Sequence, residues 1–228
     1  MQNAPVTPRL AASVMVFHAA PDGPRVLYLR RNIELAFHGG YWVFPGGRVD
    51  SSDRQGEDGA GAITTARRAA VREAAEEAGL DMSPDGLEVA VHWTTPLDSP
   101  IRFSTWFFVG AVASARVQID GHEIHEYRWL RPADALNAQA AGTMRLAGPT
   151  FALTTRLAAY ADVGAVMTAV REWPQERLLG CLHDVPGGCV AIYEQDVAYV
   201  SGGRDLDAVG ARHRLWMVDG GWHYERNF

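Results

Sequence analysis

Three glutamates, Glu73, Glu76 and Glu77, lie at the i, i+3 and i+4 positions of one alanine-rich segment. The segment covers 62–78 without proline and is followed by Gly79, so the sequence predicts a helix there. Residues three and four apart share a helix face, so the three carboxylates point the same way and repel each other. A hard divalent cation would turn this repulsion into coordination. The pattern therefore indicates a metal-binding face, although a bare ExxEE is also typical of a solvated acidic surface.

A strand-like stretch ending in a glycine turn precedes this helix, because residues 41–47 read YWVFPGG. Glycines in such a turn let the backbone approach a metal ion without a side chain in the way. Arg72 lies four residues before Glu76, a spacing at which its guanidinium can pair with that carboxylate and orient it. Residues 54–65, RQGEDGAGAITT, have glycines and charges but no hydrophobic period. We expect a mobile surface loop there.

The rest of the chain mixes predicted strands and helices without a regular βαβ alternation, which favours an α+β or layered α/β/α arrangement. Strands are predicted at 10–17, 25–31, 41–44, 87–95, 102–112 and 126–130, and in the tail at 189–193, 197–200 and 213–218. Helices are predicted from Pro132 to 139 and over 149–173, where two segments divide near Asp162.

Composition argues against several classes of function. The formal net charge of −6 does not supply the basic patch that a nucleic-acid groove or an anionic membrane surface requires. No apolar run approaches the roughly 20 residues needed to cross a bilayer, and the start shows no signal-peptide pattern. Cys181 and Cys189 are the only cysteines, too few for a disulfide framework. We expect a cytoplasmic protein with no nucleic-acid and no membrane partner.

The glycine turn and the helix together resemble the signature of the Nudix hydrolases, G-x5-E-x7-R-E-U-x-E-E-x-G-U. Gly47 matches its opening glycine, and the helix matches at Arg72, Glu73, Glu76, Glu77, Gly79 and Leu80. The arginine follows the glycine by 72 − 47 = 25 positions instead of 14, so 11 residues interrupt the box. Asp53 stands where the family has its first glutamate, and we expect it to be a structural carboxylate rather than a principal metal ligand.

Residues 92–110 resemble a segment of the Nudix subgroup with an interrupted box, which includes peroxisomal coenzyme A diphosphatase-like proteins. The segment typically reads W-x-T-P and then R-F-D-T-R-F-F, and this chain keeps Trp93, Thr95, Pro96, Arg102, Phe103, Thr105, Phe107 and Phe108. A coenzyme A signature ahead of FPGG is matched at Gly40 and Arg31, but Ala36 replaces its second arginine. The resemblance implies a Nudix domain over 1–173 and a C-terminal extension over 174–228 that packs on the same domain.

The fold implied by this resemblance is an α/β/α sandwich in which a mixed β-sheet lies between helices. The implied activity is metal-dependent hydrolysis of a nucleoside diphosphate linked to another moiety, such as a coenzyme A-like or ADP-ribose-like group. Mg²⁺ or Mn²⁺ would be held by the helix glutamates and a backbone carbonyl: Glu73, Glu76, Glu77 and Gly47. Arg72, Glu76 and Glu77 are the predicted catalytic residues on the helix. The partner would be a small-molecule nucleotide, and a homodimer is left open.

The general base varies within the family. Glu123 and Glu126 both precede a Trp-Leu-x-Pro run from which some members supply this carboxylate, and Glu123 is taken as the candidate. The predicted substrate contacts are two arginines for phosphates and two aromatic residues for a base, namely Arg31, Arg102, Trp42 and Phe103. The alternative function is a non-hydrolytic Nudix-fold nucleotide-binding or sensor protein. Such members tend to lose box glutamates, whereas all three helix carboxylates are present here.

Overall fold

The structure is a computed structural model that describes residues 6–54 and 61–228. The chain divides into two compact units. The larger unit contains Leu10–His92 and Thr105–Gln175, and the smaller contains the described residues up to Arg9 together with Trp93–Ser104 and Glu176–Phe228. Among the described residues, no helix has both the length and the apolar character needed to span a bilayer.

Most of the larger unit is a sheet with helices on its faces. Its strands are β1 (Arg9–Ala20), β2 (Gly23–Arg31), β3 (Trp42–Val43), β4 (Gly46–Arg48), β5 (Glu88–Thr94), β6 (Phe103–Val112) and β7 (Ile124–Leu130). Three of them, β1, β5 and β6, begin or end in segments of the smaller unit. Its helices are α1 (Ala62–Ala78), α2 (Pro132–Ala140), α3 (Gly148–Leu157) and α4 (Val163–Glu172). The strand order is β3-β2-β1-β6-β5, while β4 pairs with β1 and β7 with β2.

The two faces of β2 contact different helices. Leu27 and Leu29 belong to the cluster that also contains the buried alanine face of α1, which consists of Ala66, Ala69, Ala70, Ala74 and Ala78. Tyr28 points the other way, because successive strand residues alternate. Its hydroxyl forms a 3.1 Å hydrogen bond with the hydroxyl of Thr154 on α3. Helices therefore cover both faces of the sheet, and the predicted α/β/α layering is confirmed.

The helix with the carboxylates has the predicted bounds. It ends at Gly79, whose left-handed conformation (φ 65°) suits glycine and whose amide donates to Ala75 O. The predicted division at Asp162 is also found, because its carboxylate accepts a hydrogen bond from Ala165 N and caps α4. The predicted loop over 54–65 is wrong in its last four residues, which already belong to α1. Residues 55–60 lie outside the described part of the chain.

The smaller unit contains the C-terminal strands β8 (Arg177–Leu179), β9 (Cys181–Val185), β10 (Gly188–Ile192), β11 (Arg212–Val218) and β12 (His223–Asn227). Four of them form an antiparallel sheet in the order β12-β11-β10-β9. The predicted strand at 197–200 is wrong, because this segment forms turns between β10 and β11. Its pattern of apolar residues resembles a strand, but a buried carboxylate next to it organises the turns.

That carboxylate is Asp196, which is 4% exposed and forms an ion pair with Arg214, which is 2% exposed. Both side-chain oxygens accept hydrogen bonds from the guanidinium, at 2.6 and 2.7 Å. They also accept from Ala198 N and His213 N, each at 2.8 Å. The buried charge is thus fully hydrogen-bonded, as a buried charge must be if it is not to destabilise the fold.

We expect Asp196→Asn to lower the free energy of unfolding by about 3 kcal/mol, because it leaves the Arg214 charge buried without its partner. Urea unfolding of the full chain, followed by tryptophan fluorescence, measures this change. Asp207→Asn is the control, since Asp207 is exposed and surface substitutions usually change stability by no more than about 0.5 kcal/mol. Equal effects of the two substitutions would show that the pair does not stabilise this unit.

Candidate active site

Arg72 joins the glycine turn to the carboxylate helix. Its Nε and Nη2 donate to the two oxygens of Asp53 at 3.1 and 3.0 Å, and Nη2 also donates to Arg48 O at 2.9 Å. Its Nη1 donates to Glu73 at 3.0 Å and to Glu76 at 2.9 Å. The hydrogen bonds to Asp53, followed by the charge of Glu73, raise the pKa of Arg72. One guanidinium therefore holds residues from both sides of the interruption.

Asp53 is a buried partner of this arginine. It lies in a short 3₁₀ helix, Ser52–Arg54, and is 4% exposed. One of its oxygens also accepts a 2.7 Å hydrogen bond from Asp50 N. Both oxygens are thus engaged within the protein, which agrees with the expectation that Asp53 is a structural carboxylate.

Glu73 and Glu77 approach the glycine pair from the helix. Glu77 accepts a 2.9 Å hydrogen bond from Gly46 N. A Cβ on Gly47 would lie 2.4 Å from the carboxyl of Glu73, so a side chain at this position would push that carboxyl aside. Burial raises the pKa of Glu77 to about 8 against the lowering effect of the Gly46 amide, and burial also raises the pKa of Glu73. Both carboxylates are therefore shielded from water where the backbone comes closest.

The donor atoms here suit a hard divalent cation, because carboxylate and carbonyl oxygens are the ligands that Mg²⁺ and Mn²⁺ prefer. The described residues nevertheless include no group of three or more His, Cys, Asp or Glu side chains arranged around a metal position. Glu73 and Glu76 turn toward Arg72, and Glu77 turns toward Gly46 N. The donor atoms fit such an ion, but the three side chains would have to rearrange around it when it binds.

Glu123 is near these carboxylates. It lies in the turn before β7, where Asp120 accepts hydrogen bonds from the amides of His122, Glu123 and Ile124. Its exposed carboxylate lies 3.5 Å from Arg31 Nη2. Burial is the main cause of the raised pKa values of Glu73 and Glu77, and the charge of Glu123 adds to both. Arg31 alternates with Arg30 along β2 and shares with Leu27 and Leu29 the sheet face that α1 covers, so its partner Glu123 lies on the side of the helix glutamates.

Glu126, the other candidate for the general base, has different partners. It pairs with Arg30 at 3.3 Å and with Arg128 at 2.7 Å. It is opposite Arg30 in the β2–β7 register, and so it shares with Tyr28 the sheet face that points away from α1. The structure thus brings Glu123 toward the helix carboxylates and directs Glu126 to the opposite face.

The four predicted substrate contacts separate into two pairs. Arg31 and Trp42 lie in the larger unit, where Arg31 is next to Glu123 and Trp42 is 2% exposed. Arg102 and Phe103 lie in segments of the smaller unit. Arg102 is 5% exposed, and it donates to three backbone carbonyls, those of Thr95, Pro96 and Val6. These bonds give Arg102 a structural role that the sequence did not indicate and use donors that a phosphate contact would need.

Residues 7–149 match the NUDIX domain family, which is more than half of the chain. The match extends across the glycine turn, the interruption and the carboxylate helix. Together with the fold and the arrangement around Arg72, it shows that the chain belongs to the Nudix family.

Individual relatives are distant. A Caenorhabditis elegans protein named as a nudix hydrolase is 27% identical over 190 residues, covering 68% of this chain and 62% of the relative. A Mycobacterium tuberculosis protein named as an 8-oxo-dGTP diphosphatase is 31% identical over 123 residues, covering 53% of this chain and 51% of the relative. The match therefore spans only about half to three-fifths of the length of these curated relatives.

Two solved structures show the shared fold. The crystal structure of a NUDIX hydrolase from Alicyclobacillus acidocaldarius has a TM-score of 0.65 and 23% identity, and the similarity covers 74% of this chain and 99% of that one. The NUDIX domain of Shewanella oneidensis NrtR, solved in complex with ADP ribose, has a TM-score of 0.51 and 17% identity, with 66% and 86% covered. The predicted Nudix fold is confirmed.

We expect Arg72 and Asp53 to be strongly coupled in a double-mutant cycle built from Arg72→Met and Asp53→Asn. The coupling in the free energy of unfolding should be about 1–3 kcal/mol, since the effects of substitutions at neighbours in one hydrogen-bond network are not additive. The pair Arg131–Asp134, whose side chains are 46% and 39% exposed, provides the control. Its coupling should be clearly weaker, because solvent screens an exposed ion pair. A coupling of Arg72 with Asp53 no larger than the control would contradict the role given to this pair.

Proposed function

We propose that the chain is a metal-dependent pyrophosphohydrolase that cleaves the diphosphate of a nucleoside diphosphate linked to another moiety. The observation that carries this proposal is the approach of Glu73 and Glu77 to the Gly46–Gly47 pair, with Arg72 holding both sides together. Membership of the Nudix family supports it. The insertion in the box and the segment 92–110 support placing the chain in the interrupted-box subgroup with the coenzyme A diphosphatase-like proteins.

The ligands of Mg²⁺ or Mn²⁺ in this proposal are Glu73, Glu76, Glu77 and the carbonyl of Gly47. Such ions, when bound, neutralise charge on the two phosphates and lower the pKa of an attacking water. Arg72 is a positioning residue, because it donates hydrogen bonds to Glu73 and Glu76 and is itself held by its hydrogen bonds to Asp53. Ion binding would have to draw these carboxylates partly away from the guanidinium.

Glu123 is the proposed general base. Its carboxylate is exposed, so a water can reach it, and Arg31 lies on one side at 3.5 Å. The backbone on either side is fixed, because Asp120 accepts from the Glu123 amide at 3.2 Å and Asn32 N donates to Glu123 O at 2.7 Å. A carboxylate held this way can accept the proton of the attacking water, provided that the bound substrate brings this water within hydrogen-bonding distance.

The second candidate function is a non-hydrolytic nucleotide-binding or sensor protein. The observation that favours it is the engagement of Glu73 and Glu76 by Arg72, which uses oxygens that a metal ion would need. The NrtR domain found in complex with ADP ribose is an example of a similar fold that binds a nucleotide. Turnover assays distinguish the two functions, because a binding protein would bind nucleotides without consuming them.

We expect metal-dependent turnover in a panel of coenzyme A, acyl-coenzyme A, ADP-ribose, NADH, diadenosine polyphosphates and 8-oxo-dGTP, tested with Mg²⁺ or Mn²⁺ and with chelator.

Glu76→Gln should lower kcat at least about 100-fold with an unchanged circular dichroism spectrum, because it removes one charged ligand. Glu172→Gln, which alters an exposed carboxylate at the end of α4, should leave the rate unchanged. Absence of turnover on the whole panel would favour the binding protein, and full activity of Glu76→Gln would refute the proposed site.

We expect Glu123→Gln to lower kcat about 10²–10³-fold with little change in KM, since a general base contributes roughly 10²–10⁴-fold. Glu123→Asp, which keeps a carboxylate, should retain more of kcat than Glu123→Gln, a difference that a merely structural role would not cause. Glu172→Gln is again the matched control. A Glu123→Gln variant with the kcat of the unmodified protein would exclude Glu123 as the base.

A further inference from the structure

A polar pocket lies in the larger unit, away from the helix carboxylates. Its volume is about 270 Å³. Its charged lining consists of Arg30, Arg128, Arg145 and Glu126, and Trp42 contributes an aromatic wall. We call it the guanidinium pocket. Its volume is below the roughly 300–1,000 Å³ typical of sites for whole ligands, so it suits a single chemical group rather than a complete nucleotide.

The charges of the guanidinium pocket do not cancel. Glu126 is shared by two arginines, because its two oxygens accept from Arg30 at 3.3 Å and from Arg128 at 2.7 and 3.0 Å. Across residues 6–54 and 61–228, Arg145 forms no ion pair. Three guanidinium groups and one carboxylate leave a formal charge of +2. A dianion would balance this charge.

Two of the guanidinium groups are held in place by aromatic rings. The Arg128 guanidinium carbon lies 4.8 Å from the ring centroid of Trp42, and that of Arg145 lies 4.3 Å from the ring centroid of Tyr41. The Arg145 backbone is fixed as well, because Trp42 N donates to Arg145 O at 2.8 Å. Stacking leaves the N–H groups that Glu126 does not occupy available to a ligand, and guanidinium groups held in this way lose little entropy when they bind it.

The guanidinium pocket is separated from the helix carboxylates by the sheet. Arg30 is opposite Trp42 in the β2–β3 register and opposite Glu126 in the β2–β7 register, so these side chains share one face. That face is the side of Tyr28 and α3, whereas Leu29 and α1 are on the other side. A group in this pocket is therefore distinct from a diphosphate held at the helix carboxylates.

We infer that the guanidinium pocket binds a phosphate dianion. The guanidinium N–H groups that Glu126 does not occupy can donate to phosphate oxygens, and the excess charge of the pocket equals that of the ligand. The dianion is either a phosphomonoester on a remote part of the substrate or free phosphate acting as a separate ligand. Both sources use the same contacts, and two experiments identify the source.

The first experiment measures binding of inorganic phosphate to the full chain by isothermal titration calorimetry in the presence of chelator, so that no metal-bound phosphate contributes. We expect saturable binding that weakens about tenfold or more in Arg145→Met, because a charge-assisted contact contributes roughly 1.5–3 kcal/mol. Arg116→Met removes an exposed arginine outside the pocket and should bind phosphate as the unmodified protein does. Absence of saturable binding, or equal weakening by both substitutions, would overturn the inference. Arg30→Met provides a second test if Arg145→Met does not fold.

The second experiment identifies the source and rests on the proposed hydrolase function. It compares kcat/KM for pairs that differ by one phosphomonoester, coenzyme A with dephospho-coenzyme A and NADPH with NADH. If the substrate supplies the phosphate, the phosphorylated member should be preferred at least tenfold, and Arg145→Met should abolish this preference. If free phosphate is the ligand, adding it should change the rate on dephospho-coenzyme A or NADH, and Arg145→Met should remove that effect. A failure of hydrolysis would leave the calorimetric result intact, so the two proposals can fail separately.

Discussion

The guanidinium of Arg72 is the interaction on which the arrangement of the site depends. It binds Asp53 with two donors, and Asp53 belongs to the segment before the interruption. Its remaining donors fix Glu73 and Glu76 on the helix. This partly buried, bidentate ion pair explains how an interrupted Nudix box keeps both of its halves together.

Much of the fold and the helix part of the site could be predicted from local patterns. The helix over 62–78 was predictable because alanine content, the spacing of the glutamates and Gly79 all indicate the same element. The strand predicted at 197–200 was wrong, since its apolar pattern is local whereas the turn depends on Asp196 and its distant partner Arg214. Arg102 illustrates the same limit, because a sequence does not tell whether a guanidinium contacts a phosphate or backbone carbonyls.

The guanidinium pocket was not predictable for a related reason. Arg30, Arg128 and Arg145 come from separate segments, and strand register alone brings the first two together. Arg30 and Arg31 look equivalent in the sequence as a basic pair. The alternation of side chains along β2 gives them different surroundings, with Glu126 near one and Glu123 near the other. The end of β2 thereby places Arg31 on the sheet face that α1 covers and Arg30 in the guanidinium pocket.

The alanine face of α1 has a further consequence for the site. Its five buried side chains are the smallest that can still fill a core, so the helix axis lies close to the sheet. β4, which carries the glycine pair, is a strand of that same sheet, and it pairs with β1. The separation between the glycine backbone and the carboxylates is thus a function of core volume. A larger residue at one of these alanines would widen this separation without touching any polar atom. The packing of the hydrophobic core therefore sets the distance between the glycine backbone and the carboxylates.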